Sequence, residues 1–257
     1  MRITVLTLFP DMLSGFLNES IVKRAQTKNA VSIDVINIRE YAIDAYGTVD
    51  DHVYGGGAGM LMRIDVLSKA LSSLTQKKNR TGKERIVLTS ARGEQYTQKH
   101  AQRYAQLEHL IIIAGHYEGV DERITQQIDE EISIGDFVLT GGELPAAMLI
   151  DSVVRLIPGV LEKEAATTEE TFQEVSLDEI KRAGVNDALI EKLERKGIRK
   201  ARLLEYPQYT RPQEFDMMEV PAILLSGDPK KIAAWRLRQA WIITKKRRPD
   251  LLIKENQ

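Results

Sequence analysis

The residues best placed for chemistry in this chain are glycines at the ends of apolar strand patterns. Ile134-Gly135-Asp136-Phe137-Val138-Leu139-Thr140-Gly141-Gly142-Glu143-Leu144-Pro145 runs from a buried-strand pattern straight into a glycine pair and then a helix start. Glycines at such a junction permit φ > 0 and let a flat ligand press against main-chain N–H and C=O groups. Ser90-Ala91-Arg92-Gly93 and Ala114-Gly115-His116-Tyr117-Glu118-Gly119 repeat the arrangement upstream. Three such turns after three apolar strands predict one ligand site at the carboxyl edge of an α/β sheet. Asp51-His52-Val53-Tyr54-Gly55-Gly56-Gly57-Ala58-Gly59-Met60 is a different kind of segment. It lacks the Lys-Ser/Thr of a P-loop and the G-x-G-x-x-G spacing of a dinucleotide fold, and reads as a surface loop whose backbone approaches a partner.

The elements that position these turns follow from periodicity. Arg2–Leu8, Val31–Ile36, Arg85–Thr89, Leu110–Ala114 and Glu131–Leu139 read as strands, several continuously apolar as in a sheet covered on both faces. Ser20–Lys28, Asp65–Leu74, Gln98–Gln106 after a Thr97 cap, and Val120–Gln127 read as helices between them. Leu144–Leu156 is an apolar helix with Pro145 in its first turn. The alternation predicts an α/β domain with a mainly parallel sheet over residues 1–160. Residues 161–175 are polar and read as a linker. Residues 176–257 read as a small, mostly α-helical domain. Ser176-Leu177-Asp178-Glu179 is a capping box, Asn186 is positioned to cap Asp187–Lys196, and Asp228-Pro229 opens a helix through Ala233, Trp235, Leu237 and Trp241. Trp235, at helical spacing, is expected in the core.

Composition excludes several chemistries. With no cysteine there are no disulfides, thiolate nucleophiles or cysteine-zinc sites, and the four histidines form no metal motif. No apolar run reaches the ~20 residues of a membrane span, and Pro10-Asp11 so early argues against a signal peptide, so a cytoplasmic location is expected. The net charge is −1. It is unevenly spread: residues 176–257 hold 18 Lys+Arg against 12 Asp+Glu, and the rest 18 against 25. The basic end, with Lys245-Lys246-Arg247-Arg248, is a candidate nucleic-acid surface and equally a solvated helix end.

Five segments taken together carry a family resemblance. Gly55–Met60, Gly115–Arg123, Ile134–Pro145, Asp151–Val160 and Tyr206–Pro212, in this order, resemble the bacterial tRNA (guanine-N(1))-methyltransferases of the knotted SPOUT class, from Met1 to about Leu252. The resemblance implies a deep trefoil knot around residues 86–142, S-adenosylmethionine held in it, and an obligate homodimer with active sites across the subunit interface. It also implies a tRNA substrate methylated at the guanosine just 3′ of the anticodon, and a divalent ion, Mg²⁺, for which the sequence offers no ligand constellation. Two further readings stay open: a methyltransferase of the same class acting elsewhere in RNA, and a non-catalytic tRNA-binding protein.

Guanine N(1) carries a hydrogen and needs a base nearby, with a cation where charge gathers on the carbonyl oxygen. By resemblance Arg155 is the cation. The family's Glu-Asp-Ser-Phe run reads Glu169-Glu170-Thr171-Phe172 here, which makes Glu170 the general base, with Glu169 the alternative. Matching positions assign cofactor binding to Thr89, Ser90, Gly93, Gly115, Tyr117, Glu118, Gly119, Ile134, Gly135, Phe137, Leu139, Gly141, Gly142 and Pro145. Ala91 replaces a proline usual in the family, and His116 stands where many relatives carry arginine. His116 is read as structural. Asp121, Glu122 and Arg123 are either a helix-opening charge cluster or acids near the cofactor. Asp50 and Gly59 are expected to meet the guanosine and its neighbour. Arg236, Arg238, Lys245, Arg247 and Arg248 are assigned to tRNA phosphates, with Tyr206, Tyr209 and Arg211 orienting the second domain on the RNA. The stretch 174–201 is longer than the connection expected for the family, and its basic residues favour an RNA-facing role diluted by Asp178, Glu179, Glu191 and Glu194.

Overall fold

A computed structural model describes residues 1–75, 82–162 and 170–253. The chain divides into two compact units, Met1–Glu162 and Lys163–Gln257.

The first unit is built on a five-stranded parallel sheet of order β2-β1-β6-β5-β7. The strands are β1 (Arg2–Thr7), β2 (Ser32–Asn37), β5 (Glu84–Gln95), β6 (His109–Ala114) and β7 (Glu130–Ser133). Leu110-Ile111-Ile112-Ile113 in β6 is fully buried because both faces are covered. Leu110 and Ile112, with Ile3, Val5 and Val87, pack against α1 (Asp11–Leu17), α2 (Ser20–Thr27), α4 (Gln98–Tyr104) and α5 (Glu143–Val154). Ile111 and Ile113, with Leu6, Ile86 and Leu88, pack against α3 (Ile64–Leu74) on the opposite face. The parallel register brings the Thr89–Glu94 irregularity of β5 and the carboxyl ends of β6 and β7 to one edge, and the three glycine segments lie there. A short antiparallel hairpin, β3 (Asp50–His52) with β4 (Met60–Met62), carries the four-glycine loop.

Three sequence expectations change here, the first being that the strand expected over Arg85–Thr89 runs on through Ser90-Ala91-Arg92-Gly93 to Gln95. The strand expected over Glu131–Leu139 stops at Ser133, where the Ser133 hydroxyl bonds Gly135 and the Phe137 N–H bonds the Gly135 carbonyl in a tight turn. The remaining apolar residues, Phe137, Val138 and Leu139, are exposed rather than paired. The helix expected over Val120–Gln127 is a five-residue 3-10 turn, Glu122–Gln126, opened by Asp121 accepting from the Arg123 N–H. The hairpin β3–β4 and helix α1 carry too few periodic residues to be read locally.

The second unit is not helix alone. β8 (Gln173–Ser176) pairs antiparallel with β9 (Lys200–Leu203) and frames α6 (Leu177–Arg182) and α7 (Ala188–Arg195). β10 (Glu214–Phe215) and β11 (Met218–Glu219) form a second pair, and α8 (Pro229–Arg247) and α9 (Asp250–Ile253) close the chain. Strands of two to four residues are too short to show an alternation. The Ser176–Glu179 capping box is present, while α7 is capped by Asp187 rather than Asn186, its carboxylate accepting from the Leu189 N–H. Leu177, Ile180, Ile190, Leu193, Leu203 and Trp241 form the core of this unit. Trp235 is only partly buried, with its ring 6.4 Å from that of Tyr209, so the core tryptophan is Trp241. Residues 163–169 of the expected linker, Glu169 included, lie outside the described residues, and the expected linker's last residues belong to β8.

Candidate active site

The three glycine turns meet in one cleft of about 420 Å³ at the carboxyl edge of the sheet, within the size range of small-molecule sites. What draws them together is contact between main chains. The Gly142 N–H donates to the Gly115 carbonyl at 2.7 Å, and His116 bridges to Gly141. A Cβ on Gly142 would stand 2.1 Å from Thr89 Oγ1 and 2.7 Å from the Gly115 nitrogen; one on Gly141 would stand 2.4 Å from both Glu143 Oε2 and His116 Nδ1. These are glycines because a neighbouring backbone or buried side chain already occupies the space of a side chain.

Beneath the turn lies an unusual carboxylate. Glu143, the first residue of α5, is fully buried, and its Oε1 accepts from the Thr7 hydroxyl at 2.7 Å. Its Oε2 and His116 Nδ1, 3.6 Å apart, are both buried with no hydrogen-bond partner among the described residues. The His116 ring packs against Phe9 and, edge-on, against Tyr117. Tyr117, at φ +58°, lines the cleft. On another wall, Arg92 pairs with Glu122 at 2.9 Å and with Glu131 at 3.6 Å. Glu118 also lines the cleft, so three carboxylates face one guanidinium and one imidazole. Beside it Arg123 holds Asp121 in a two-point ion pair and pushes its carboxyl below the usual range.

The glycine-rich hairpin is attached to this cleft. The Glu118 N–H donates to the Met60 carbonyl, the Met62 N–H to the Gly119 carbonyl and the Asp121 N–H to the Met62 carbonyl. Leu61 consequently lines the cleft, and Gly59 lies so close to the Glu118 side chain that a Cβ would come within 2.3 Å of it. Asp50 sits across the hairpin from Met62.

Residues 1–254 match the family described as tRNA (guanine-1)-methyltransferase TrmD. The chain belongs to that family. A tRNA (guanine-N(1)-)-methyltransferase of Bacillus pumilus is 47% identical over 253 residues, covering 98% of this chain and 92% of the relative. That of Bacillus subtilis is 46% identical with the same coverages, and that of Carboxydothermus hydrogenoformans is 45% identical over 98% of this chain and 87% of its own length.

Of the residues assigned to the cofactor, Thr89, Ser90, Gly115, Tyr117, Glu118, Gly119, Ile134, Gly135, Phe137, Leu139, Gly141, Gly142 and Pro145 line the cleft. Gly93 does not. It lies against β7, where a Cβ would stand 2.4 Å from Glu131 C and Ile132 N, and it permits the register shift of β5 between Thr89 and Glu94. Sequence reading missed Leu61, Arg92 and Glu131 as lining residues, because only the hairpin contact and the β5–β7 pairing bring them there.

Arg155 ends α5 in the first unit, its N–H bonded to the Asp151 carbonyl. Glu170 belongs to the second unit, where it lines a separate cleft of about 510 Å³ with Arg182, Glu205, Tyr206 and Arg236. In that unit Arg236 stacks over Tyr206 at 4.8 Å, and Arg211 is exposed beside a cis Pro212. Arg238 donates to the Ala183 carbonyl and Lys245 pairs with Asp187 at 2.6 Å, so both also join helices of this unit.

Proposed function

We propose that this protein transfers a methyl group from S-adenosylmethionine to N(1) of the guanosine 3′ of the anticodon in tRNA. The observation that carries the reading is the family match over residues 1–254 together with thirteen assigned cofactor residues lining one cleft. The residues present fit the cofactor. Gly115, Gly141 and Gly142 bring main chain to the cleft wall, and Phe137 and Leu139 offer partly exposed apolar walls for a flat base. Glu118, Glu122 and Glu131 outnumber the cleft's cations and complement the sulfonium and ammonium charges. Bound there, the cofactor supplies an electrophilic methyl group.

The protein's own work is positioning and proton management. Glu170 accepts the proton from guanine N(1), and Arg155 offsets the negative charge that gathers on the carbonyl oxygen as that proton leaves. Asp50 and Gly59, on the hairpin attached to the cleft, face the target guanosine and its neighbour. Arg211 and Arg236 meet the tRNA backbone, with Arg238 and Lys245 beside them. The apolar side chains of Leu144 and Met148, 56% and 52% exposed on α5, are one helical turn apart and support a homodimer with a second copy covering them. The same reading includes the SPOUT knot through residues 86–142 and a cytoplasmic location. Among the described residues no group of three or more His, Asp or Glu could hold a metal ion, so no step is drawn through Mg²⁺. Nor is any helix among them long and apolar enough to cross a membrane.

The test is Glu170→Gln. General-base catalysis contributes roughly 100- to 10,000-fold, so methylation should slow by about 100-fold or more while tRNA and cofactor binding persist. Near-normal turnover by Glu170→Gln refutes the assignment, and loss of turnover in Glu169→Gln instead moves the base to Glu169.

A further inference from the structure

We propose that the β8–α6–α7–β9 element presents a cationic ridge, Lys192, Lys196, Arg199 and Lys200, to the phosphate backbone of tRNA. The inference deepens the reading of the protein as a tRNA enzyme and rests on it. Over residues 174–202 the element carries eight Lys+Arg and six Asp+Glu, a balance that by itself decides nothing. The structure decides it, because every one of the six acids is already engaged. Glu194 binds Lys181 at 2.6 Å, and Asp178 shares the same ammonium at 3.6 Å. Glu191 pairs with Arg195, and Glu174 with Arg202. The Glu179 carboxylate closes the capping box on Ser176. Asp187 caps α7 and takes both Lys245 and the Trp241 indole N–H.

Of the five cations left over, Arg182 turns back to the Asp178 carbonyl of its own helix, and the other four are not scattered. Lys192 and Lys196 are four residues apart, on one face of α7 and its C-cap. Arg199 and Lys200 follow Ile198 just past Gly197, a left-handed turn at φ +82°. All four side chains are exposed, and none has a carboxylate within ion-pair distance among the described residues. Lys200 acts on Glu179 only as a more distant charge. The helix dipole favours cations in a last turn, which accounts for Lys192 and Lys196, but Arg199 and Lys200 lie beyond the helix. Four cations within nine residues of chain, none paired with a carboxylate among the described residues, repel one another in the free protein. A polyanion relieves that repulsion and releases its own counterions.

The experiment measures tRNA affinity of the full chain across a series of salt concentrations, for the wild type and for Lys192→Gln/Lys196→Gln/Arg199→Gln. Each lost phosphate contact flattens the plot of log K against log[salt] by about 0.7–0.9, so the triple variant should lose roughly 2–3 units of slope. Its melting temperature and its S-adenosylmethionine affinity should stay at the wild-type values, since no packing or ion pair is removed. A complementary variant, Glu191→Gln, frees Arg195 and should steepen the slope. An unchanged slope in both variants overturns the ridge. A wild type that neither binds nor methylates tRNA overturns the enzymatic reading instead, so the two failures are distinguishable.

Discussion

Gly142→Ala tests the claim that main chain, not side chains, shapes the cofactor cleft. Gly142 has φ −87° and ψ 0°, a conformation alanine adopts freely, so backbone strain contributes nothing. The entire effect is steric. The new methyl would stand 2.1 Å from Thr89 Oγ1, 2.7 Å from the Gly115 nitrogen and 2.8 Å from Ala114 Cα. The Thr89 hydroxyl is itself tied to the Ile113 carbonyl at 3.1 Å, and the other two atoms are backbone of β6 and the turn that follows it. Overpacking a closed site costs about 1–3 kcal/mol, which for a unit of this size lowers the melting temperature by roughly 2–12 °C. Displacing the turn by the amount needed would also break the Gly142–Gly115 hydrogen bond that closes the cleft, and S-adenosylmethionine affinity should fall at least tenfold. The assay pairs a thermal melt with calorimetric titration of the cofactor. Thr89→Ala/Gly142→Ala removes the 2.1 Å contact but not the two backbone contacts, so most of the loss should remain. Gly15→Ala is the control: nothing lies within 4 Å of its Cβ position in α1, and it should stabilise by about 0.5–1 kcal/mol. Gly142→Ala with wild-type melting and wild-type cofactor affinity would refute the reasoning.

Two further outcomes follow from the rest of the structure. Burial pushes the His109 imidazole below its ordinary value of 6.5, against the raising influence of Glu84; the unfolded chain then binds more protons than the folded one as the medium acidifies. Stability from this residue is therefore full above about pH 6.5 and lost as pH falls through the folded value, so urea titrations between pH 7 and 5 should show a decline that His109→Gln reduces; an equal decline in the variant rejects the assignment. Trp241→Phe removes the 2.9 Å indole bond to Asp187 from a side chain only 1% exposed, and should destabilise the second unit by roughly 1–3 kcal/mol while cofactor titration of the full chain stays unchanged; a variant that melts like the wild type contradicts this.

Local pattern made the parallel sheet legible. The run Leu110–Ile113 is apolar at every position, which only a strand covered on both faces requires, and the glycine segment within β5, the junction after β6 and the pair at Gly141-Gly142 marked where backbone meets ligand. The same logic over-extended β7, since Phe137, Val138 and Leu139 are as apolar as a strand but serve as cleft wall. It missed β8 and β9, whose four-residue lengths carry almost no period.

What the sequence determined by itself is therefore the inventory: strands, turns, a glycine cradle, and an excess of positive charge toward the end. The tertiary structure decided the partners. Gly93 and Gly142 look alike in sequence, yet one seats β7 and the other lines the cleft. Lys245 and Lys192 are equally basic, yet one is joined to Asp187 across 58 residues and the other has no acid within ion-pair distance among the described residues. Periodicity is written in neighbours along the chain, whereas steric contact and ion pairing depend on distances of a few ångströms between elements. Those distances exist only after packing.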